Sequence, residues 1–191
     1  FDSLAVGPGI GIDNDDWQKS KDYLMDFGGL LILDADALNR ISESKLGANF
    51  FLERKFKTWI TPHSKEFGRL FPNIKSKTNV GLARDAAKEF NISILLKGAN
   101  SIVADNKKVW QLFGTDSQTA RAGLGDLLSG FVAGSSAIDL TLCRNISTDF
   151  FAKYVLLHSF AASKCKSGSN ASAIGDELTK LMRNIKTRQI S

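Results

Sequence analysis

The sequence predicts an α/β fold in which a mostly parallel sheet is covered by helices on both faces. Short apolar runs alternate with helical patterns along the first half of the chain, as in parallel strands joined by helices. Two β-rich runs joined by a polar turn then predict an antiparallel hairpin after the fourth strand. Helical patterns alone follow the hairpin. We expect residues 1–191 to form a single domain.

The first half of the chain supplies four predicted strands. They are residues 4–7, 30–33, 58–61 and 92–98, and the helical patterns between them include residues 13–27 and 80–90. Trp17, Leu24 and Phe27 share one face of the first of these helices, and Asn91 closes the second. Ser64 is the expected N-cap of a short helix after the third strand.

The pattern changes at Ser101. Residues 101–113 predict the hairpin, with a polar turn at residues 105–108. Predicted helices follow at about residues 126–140, 148–166 and 172–185, and each carries an apolar stripe that can pack against the rest of the fold.

The composition is that of an ordinary globular domain, since 43% of the 191 residues are hydrophobic and 24% are charged. The net charge of +5 comes from scattered lysines without a dense block, which argues against a nucleic-acid partner. No apolar run approaches the roughly 20 residues that span a bilayer, and the N-terminus lacks a signal-peptide pattern. Cys143 and Cys165 lack the spacing of a zinc site or a disulfide framework. These features predict a cytoplasmic protein with no membrane partner.

Glycines and polar residues follow each predicted strand. Gly7, Gly9 and Gly11 follow the first strand, Asp34 and Asp36 the second, residues 61–63 the third, and Lys97 and Gly98 the fourth. Ligands of parallel α/β sheets bind beyond the carboxyl ends of the strands. We therefore expect these segments to converge on one rim, together with residues 123–126.

The stretch from Gly123 to Asp126 has the features of a phosphate site. Gly123 and Gly125 let the backbone approach a ligand closely. The first N–H groups of the helix that follows have no intrahelical partners, and the helix dipole adds partial positive charge at this end. Asp126 is then placed as a general base for a substrate hydroxyl. The alternative is that Asp126 caps the helix while the two glycines shape a turn.

A dinucleotide-binding fold is a competing interpretation of the first glycine-rich loop. Gly7, Gly9 and Gly11 precede a helix, and Asp34 ends the next strand. The spacing is G-x-G-x-G, however, and Pro8 removes a backbone N–H that a pyrophosphate would use. The chain also lacks the G-x-x-x-x-G-K-[ST], H-E-x-x-H and G-x-S-x-G motifs, which excludes the ordinary P-loop and gives no sign of a metalloprotease or an esterase.

Five motifs occur in order along the chain: AVGPGIG, LDADALN, TPHSKEFGRL, LLKGANSIVAD and ARAGLGDLLSG. Each motif alone is a weak signal, but the ordered set is specific and covers nearly the whole chain. It resembles the ADP-dependent NAD(P)H-hydrate dehydratases, which are ribokinase-like enzymes. Domains of that family carry further strands and helices before the first motif. The resemblance therefore implies that this chain, which begins at Phe1, is the C-terminal portion of such a domain and lacks its N-terminal strands and helices.

The resemblance implies repair of hydrated NADH or NADPH. A nucleotide, ADP or ATP, accompanied by Mg²⁺, phosphorylates the hydroxyl of the hydrated nicotinamide ring, and loss of phosphate restores the double bond. At the matching positions Asp126 would deprotonate the hydroxyl. The backbone N–H groups of Gly123, Leu124 and Gly125 would hold the transferred phosphate as an anion hole.

The same resemblance assigns two groups of binding residues. The hydrated dinucleotide is expected at Gly7, Gly9, Gly11, His63 and Asp126, and the adenine nucleotide at Lys97, Gly98, Ala99, Asn100, Ser101 and Gly125. No residue is assigned as a metal ligand. Relatives in this family are often homo-oligomers, so a homo-oligomer is expected.

The chain departs from the family in the phosphate loop, which usually reads Thr-Gly-Gly-Thr-Gly-Asp. Arg121, Ala122 and Leu124 replace the first Thr, a Gly and the second Thr, and Ser101 replaces another usual Thr. Leu124 removes a possible hydroxyl contact to phosphate, while the N–H groups of the loop remain. The Gly125-Asp126 pair is intact.

Simpler structural explanations exist for several polar residues. Asp34 and Asp36 are interpreted as turn acids with Asn39 as a local cap. The alternative for Lys97 is a solvated lysine at the end of a strand. The alternative for His63 is a hydrogen bond to a strand-end carbonyl. The second histidine, His158, lies within an apolar helix and is predicted to be a packed core residue outside the site.

Two other functions remain open from the sequence. A vitamin or sugar kinase of the same superfamily would release a stable phosphorylated product instead of eliminating phosphate. A dinucleotide-binding fragment would bind its ligand without consuming nucleotide.

Overall fold

The strands of the sheet lie in the order in which they occur along the chain. The computed structural model describes residues 1–11, 17–113, 123–143, 145–166 and 169–188. Within these ranges the strands are β1 (Ser3–Val6), β2 (Leu30–Leu33), β3 (Thr58–Ile60), β4 (Ser93–Leu96), β5 (Ser101–Ala104) and β6 (Val109–Leu112). The first four are parallel, and β4, β5 and β6 are antiparallel neighbours. The predicted mostly parallel sheet with a hairpin after the fourth strand is confirmed.

The described helices are α1 (Trp17–Asp26), α2 (Ala35–Glu43), α3 (Asn49–Glu53), α4 (Ser64–Leu70), α5 (Asn79–Phe90), α6 (Leu124–Cys143), α7 (Thr148–Lys164) and α8 (Ala171–Arg188). Asn91 ends α5 in the left-handed conformation, as predicted from the sequence. The predicted helices after the hairpin are also present, and α6 begins two residues before Asp126. No helix of the described residues is long and apolar enough to cross a membrane.

Helices cover both faces of the sheet, as the central strand β2 shows, because it is apolar and buried at every position. Leu31 and Leu33 of β2 face one side, where they join a core with α2, α3, α4 and α5. Leu30 and Ile32 face the other side and pack with α6 and α7. On this second side the Trp59 ring stacks on Phe151 of α7, with ring centroids 4.6 Å apart. α8 packs against α6 and α7 through a third apolar cluster.

The structure corrects two expected caps and one expected turn acid. Ser64 is the first residue of α4 and not its N-cap, because the Nδ1 atom of His63 accepts the N–H groups of Lys65 and Glu66. Asn39 lies inside α2 and is not a cap. Asp34 is the N-cap of α2, with its side chain accepting the N–H of the next residue, so it belongs to a helix start and not to a free turn.

Arg54 ties the end of α1 to the start of β3. Its guanidinium donates to the Thr58 hydroxyl and to four carbonyl oxygens in or just after α1. These carbonyls belong to Leu24, Met25, Phe27 and Gly29. The side chain is buried, and burial lowers the pKa of Arg54 to about 10, so the group stays charged at neutral pH. The free carbonyls at the end of a helix thus receive a charged donor from another element.

Candidate functional site

The carboxyl ends of the four parallel strands meet at one rim. The N–H of Asp34 donates to the carbonyl of Val6 at 3.1 Å, and the N–H of Thr61 donates to the carbonyl of Leu33 at 3.1 Å. The N–H of Lys97 donates to the carbonyl of Pro62 at 2.9 Å. The segments that follow each strand therefore lie side by side, where ligands of such sheets bind.

The glycine-rich loop after β1 requires backbone conformations that favour glycine. Gly7, Gly9 and Gly11 have φ angles of +138°, +71° and +72°. The N–H of Gly11 donates to the Asp36 carboxylate at 3.0 Å, and the buried Arg40 guanidinium donates to the Gly11 carbonyl. Two side chains of α2 therefore hold the end of this loop on the rim.

Asp34 connects three segments of the rim. Its Oδ1 atom accepts the Lys97 ammonium at 2.7 Å and the N–H of Ala35 at 2.9 Å. Its Oδ2 atom accepts the hydroxyl of Ser129 in α6 at 2.7 Å. Ala35 itself has a φ of +46°, which is costly for a residue other than glycine and is held by these contacts. Lys97 is thus ion-paired and is not simply a solvated strand-end lysine.

His63 stands beside Lys97 and caps α4. A parallel β-bridge joins the two residues. Because its Nδ1 atom accepts backbone N–H groups, the neutral imidazole carries its proton on Nε2. That nitrogen lies 3.2 Å from the Oε1 atom of buried Glu66, whose Oε2 atom accepts the N–H of His63 at 2.8 Å. The His63 side chain is 48% exposed, so its outer edge is open to a ligand on the rim.

The start of α6 presents backbone N–H groups that have no intrahelical partner among the described residues. The first intrahelical bond of this turn runs from the N–H of Leu127 to the carbonyl of Gly123, which has a φ of +83°. The N–H groups of residues 124–126 therefore have no acceptor within the helix. Leu124 buries its side chain in the cluster with α7 and α8, while the Asp126 side chain is exposed. The Leu124 side chain thus serves packing, while an anion hole at its backbone N–H stays a prediction.

The segment proposed for the nucleotide follows Lys97 directly. Gly98, Ala99 and Asn100 are exposed, and the Ser101 hydroxyl donates to the Gly98 carbonyl at 3.4 Å. Arg121 and Ala122 lie outside the described residues. Within those residues no group of three or more His, Cys, Asp or Glu side chains is arranged to hold a metal ion.

Three contributors to the rim have roles that the sequence did not indicate. The sequence indicates no role for Ser129 or Arg40, and it predicts Asp34 as a turn acid. The available signal was the position of Ser129, which lies three residues after Asp126 and so on the same side of a helix. Which residue it would bond could not be read from that spacing.

A family model described as NAD(P)H-hydrate dehydratase matches residues 1–186. The chain belongs to the NAD(P)H-hydrate dehydratase family. It is 37% identical over 151 residues to the bifunctional NAD(P)H-hydrate repair enzyme of Gloeobacter violaceus, covering 76% of this chain and 27% of that enzyme. This dehydratase-family chain thus spans about a quarter of the length of the curated relatives it matches. The resemblance stated from the five motifs is confirmed.

Solved structures confirm the ribokinase-like fold of this dehydratase-family chain. A ribokinase-like superfamily protein of Enterococcus faecalis superposes with a TM-score of 0.78 at 23% identity, covering 96% of this chain and 63% of that one. The ADP/ATP-dependent NAD(P)H-hydrate dehydratase of Bacillus subtilis, co-crystallised with ATP and Mg²⁺, superposes with a TM-score of 0.74 at 22% identity. That match covers 96% of this chain and 64% of the B. subtilis chain.

Proposed function

We propose that this chain carries the phosphate-transfer site of an ADP- or ATP-dependent NAD(P)H-hydrate dehydratase. One observation carries the proposal: the N-terminus of α6, with exposed Asp126 in its first turn, is joined to Lys97 through Asp34 at the carboxyl ends of the strands. Backbone N–H groups at a helix start, an ammonium and an exposed carboxylate are the groups that phosphoryl transfer to a hydroxyl needs. The family of the chain supports hydrated NADH or NADPH as the substrate.

The first step is transfer of the terminal phosphoryl group. The hydroxyl oxygen on the hydrated nicotinamide ring attacks the terminal phosphorus while Asp126 accepts the hydroxyl proton. The bond to the bridging oxygen breaks, and the shortened nucleotide leaves with the electron pair. The N–H groups of Gly123, Leu124 and Gly125 face the transferred phosphate, where the α6 dipole stabilises its charge.

The second step restores the reduced nicotinamide. The ring C–O bond breaks, inorganic phosphate leaves with the bond's electron pair, and a proton is lost from the neighbouring ring carbon to form the double bond. We place the hydrated dinucleotide against Gly7, Gly9, Gly11, His63 and Asp126, and the adenine nucleotide against residues 97–101 and Gly125. His63 and the glycine-rich loop support this arrangement because both border the same rim.

Mg²⁺ fits this rim as an ion carried by the nucleotide. It usually keeps several waters and binds through substrate phosphates with one or two carboxylates, and it would neutralise phosphate charge here. The described rim offers the exposed carboxylate of Asp126 and no preformed carboxylate cage. A cytoplasmic location, a homo-oligomeric state and a single domain over residues 1–191 stay predictions.

The decisive experiment follows the absorbance band of reduced nicotinamide after ADP or ATP with Mg²⁺ is added to the protein and hydrated NADH. A nucleotide-dependent rise supports the dehydratase. Asp126→Asn should lower turnover by roughly 10²- to 10⁴-fold, as expected for loss of a general base. The matched control is Asp85→Asn, which removes an exposed carboxylate of α5 that pairs with Arg84 away from the rim.

Two results would contradict the proposal. If nucleotide is consumed and a stable phosphorylated product accumulates, the chain is a small-molecule kinase. If Asp126→Asn retains full turnover, Asp126 is not the base.

A further inference from the structure

Asp34 has a buried carboxylate whose bonds all connect parts of the rim. The residue is 1% exposed, and its two oxygens accept three donors, from Ala35, Lys97 and Ser129. A carboxylate is buried at this depth only when its charge is compensated. Lys97 supplies that compensation, with an ammonium nitrogen 2.7 Å from Oδ1.

The ion pair lies directly beside the start of α6. A β-carbon added to Gly125 would lie 3.6 Å from the Asp34 Oδ2 atom and 3.6 Å from the Lys97 nitrogen. The Lys97 side chain is 25% exposed, whereas that of Asp34 is 2% exposed. An ammonium has three donors, and the Lys97 ammonium gives one to Asp34. Its remaining donors therefore lie at the edge of the pair that is open to a ligand.

We propose that Asp34 is a positioning residue for nucleotide binding, which fixes the Lys97 ammonium next to the first N–H groups of α6 so that both contact the same phosphate. The hydroxyl of Ser129 holds the second carboxylate oxygen and so fixes α6 relative to the pair. This role rests on the proposed function, because it assumes an adenine nucleotide on this rim.

Preorganisation is the physical reason for such a pair. A free lysine side chain loses rotamer freedom when it binds a phosphate, and an ammonium already held in place does not. Asp34 also lowers the net charge of the pair to zero. The attraction for phosphate therefore comes from the orientation of the Lys97 ammonium and its short distance to the phosphate. The α6 dipole adds to it at short range.

The test measures the Kd of ADP and of ATP with Mg²⁺ by calorimetry for the wild-type protein, Asp34→Asn, Lys97→Met and the double variant. Each single change should weaken binding roughly tenfold to a hundredfold, the usual range for losing a hydrogen bond to a charged group. The double variant should bind no more weakly than Lys97→Met alone, because Asp34 acts through Lys97. In steady-state assays the KM for nucleotide should rise more than kcat falls. Asp85→Asn is the control and should bind like the wild-type protein.

Additive losses in the double variant would show a merely structural role and overturn the proposal, as would wild-type affinity in Asp34→Asn. If the wild-type protein binds neither nucleotide, the proposed function fails and this proposal fails with it. If the wild-type protein binds nucleotide and Asp34→Asn binds it equally tightly, the positioning role of Asp34 is wrong while the proposed function stands. Should Asp34→Asn not fold, Ser129→Ala removes the bond that fixes α6 relative to Asp34 and keeps the ion pair. It should weaken nucleotide binding, and wild-type affinity in Ser129→Ala overturns the proposal.

A second readout needs no nucleotide. Acylation of lysines by an N-hydroxysuccinimide ester, followed by peptide mass spectrometry, should label Lys97 faster in Asp34→Asn than in the wild-type protein, because the ion pair protects the amine. The exposed Lys65 serves as the internal reference. Equal labelling of Lys97 in both proteins overturns the positioning role.

Discussion

A β-carbon placed on Gly7 would lie 1.7 Å from the main-chain carbonyl oxygen of Asp34. The glycine-rich loop and the end of β2 are therefore in contact through their backbones, with no room for a side chain between them. The contact brings the loop proposed for the dinucleotide against the residue that holds Lys97.

This contact predicts different costs for two substitutions in one loop. Gly7→Ala should destabilise the protein by more than about 2 kcal/mol, because the backbone must move apart as well as adopt a strained φ. Gly9→Ala is the matched control, since Gly9 also has a positive φ but nothing lies within 4 Å of its added β-carbon. It should cost about 1 kcal/mol. Denaturant unfolding measures both, and equal free energies of unfolding would contradict the predicted clash.

Gly125→Ala should separate folding from binding. The added methyl group makes only ordinary contacts, 3.6 Å from Asp34 and Lys97, and alanine is about 1 kcal/mol better than glycine in a helix. The variant should be at least as stable as the wild-type protein, while the methyl group covers the ammonium and weakens nucleotide binding about tenfold. Gly130→Ala, in the same helix and with nothing within 4 Å, should leave nucleotide affinity unchanged. Unchanged affinity in Gly125→Ala would place the phosphate elsewhere.

The sequence predicted the fold well because its signals are local. The apolar run Leu30–Leu33 is buried on both faces and stops at the first charged residue, so the observed strand has the predicted bounds. The sequence does not predict α2 as a helix, because its first residues look like a polar turn. Its first residue, Ala35, has a φ of +46°, which no helix propensity predicts for alanine.

The site was predictable only in part. Glycines and polar residues at strand ends predicted the rim, because parallel strands end at a common edge. The bond from Ser129 to Asp34 joins residues 95 positions apart, and it depends on how α6 packs against the sheet. The family identity extends the assignment to Asp126 and His63, whose roles stay predictions.

Removing Arg54 should destabilise the fold strongly. Arg54→Met leaves buried carbonyl oxygens after α1 without donors, and the cost should be about 3 kcal/mol or more. Arg54→Lys should recover little of it, because one ammonium cannot reproduce the fork of five N–H donors. Arg84→Met is the control, an exposed arginine whose loss should stay within about 0.5 kcal/mol. The free energy of unfolding in urea measures all three, and a small cost for Arg54→Met would show that water replaces the lost donors.

His158 should make stability depend on pH. Burial lowers its pKa from 6.5 to about 4, and its Nε2 atom has no hydrogen-bond partner among the described residues. Between these values the unfolded chain binds the proton and the folded protein does not. Stability is therefore complete above pH 6.5 and falls as the pH drops toward 4, by up to about 3 kcal/mol.

The measurement is the free energy of unfolding between pH 7 and pH 5, a window above most carboxylate titrations. His158→Leu should flatten the pH dependence of stability. His63→Gln, which changes the half-exposed histidine, should leave that dependence in place. The same slope in His158→Leu and in the wild-type protein would assign the effect to other groups.

Each strand of the sheet pairs with the strand that precedes it along the chain, from β1 to β6. A chain emerging from the ribosome can therefore add these strands one at a time, because none of the six described strands inserts between two earlier ones. The rim is completed later, since α6 packs against β1 and β2 and follows all six described strands in the chain. Translation thus separates the synthesis of the six strands from the completion of the proposed phosphate-binding end.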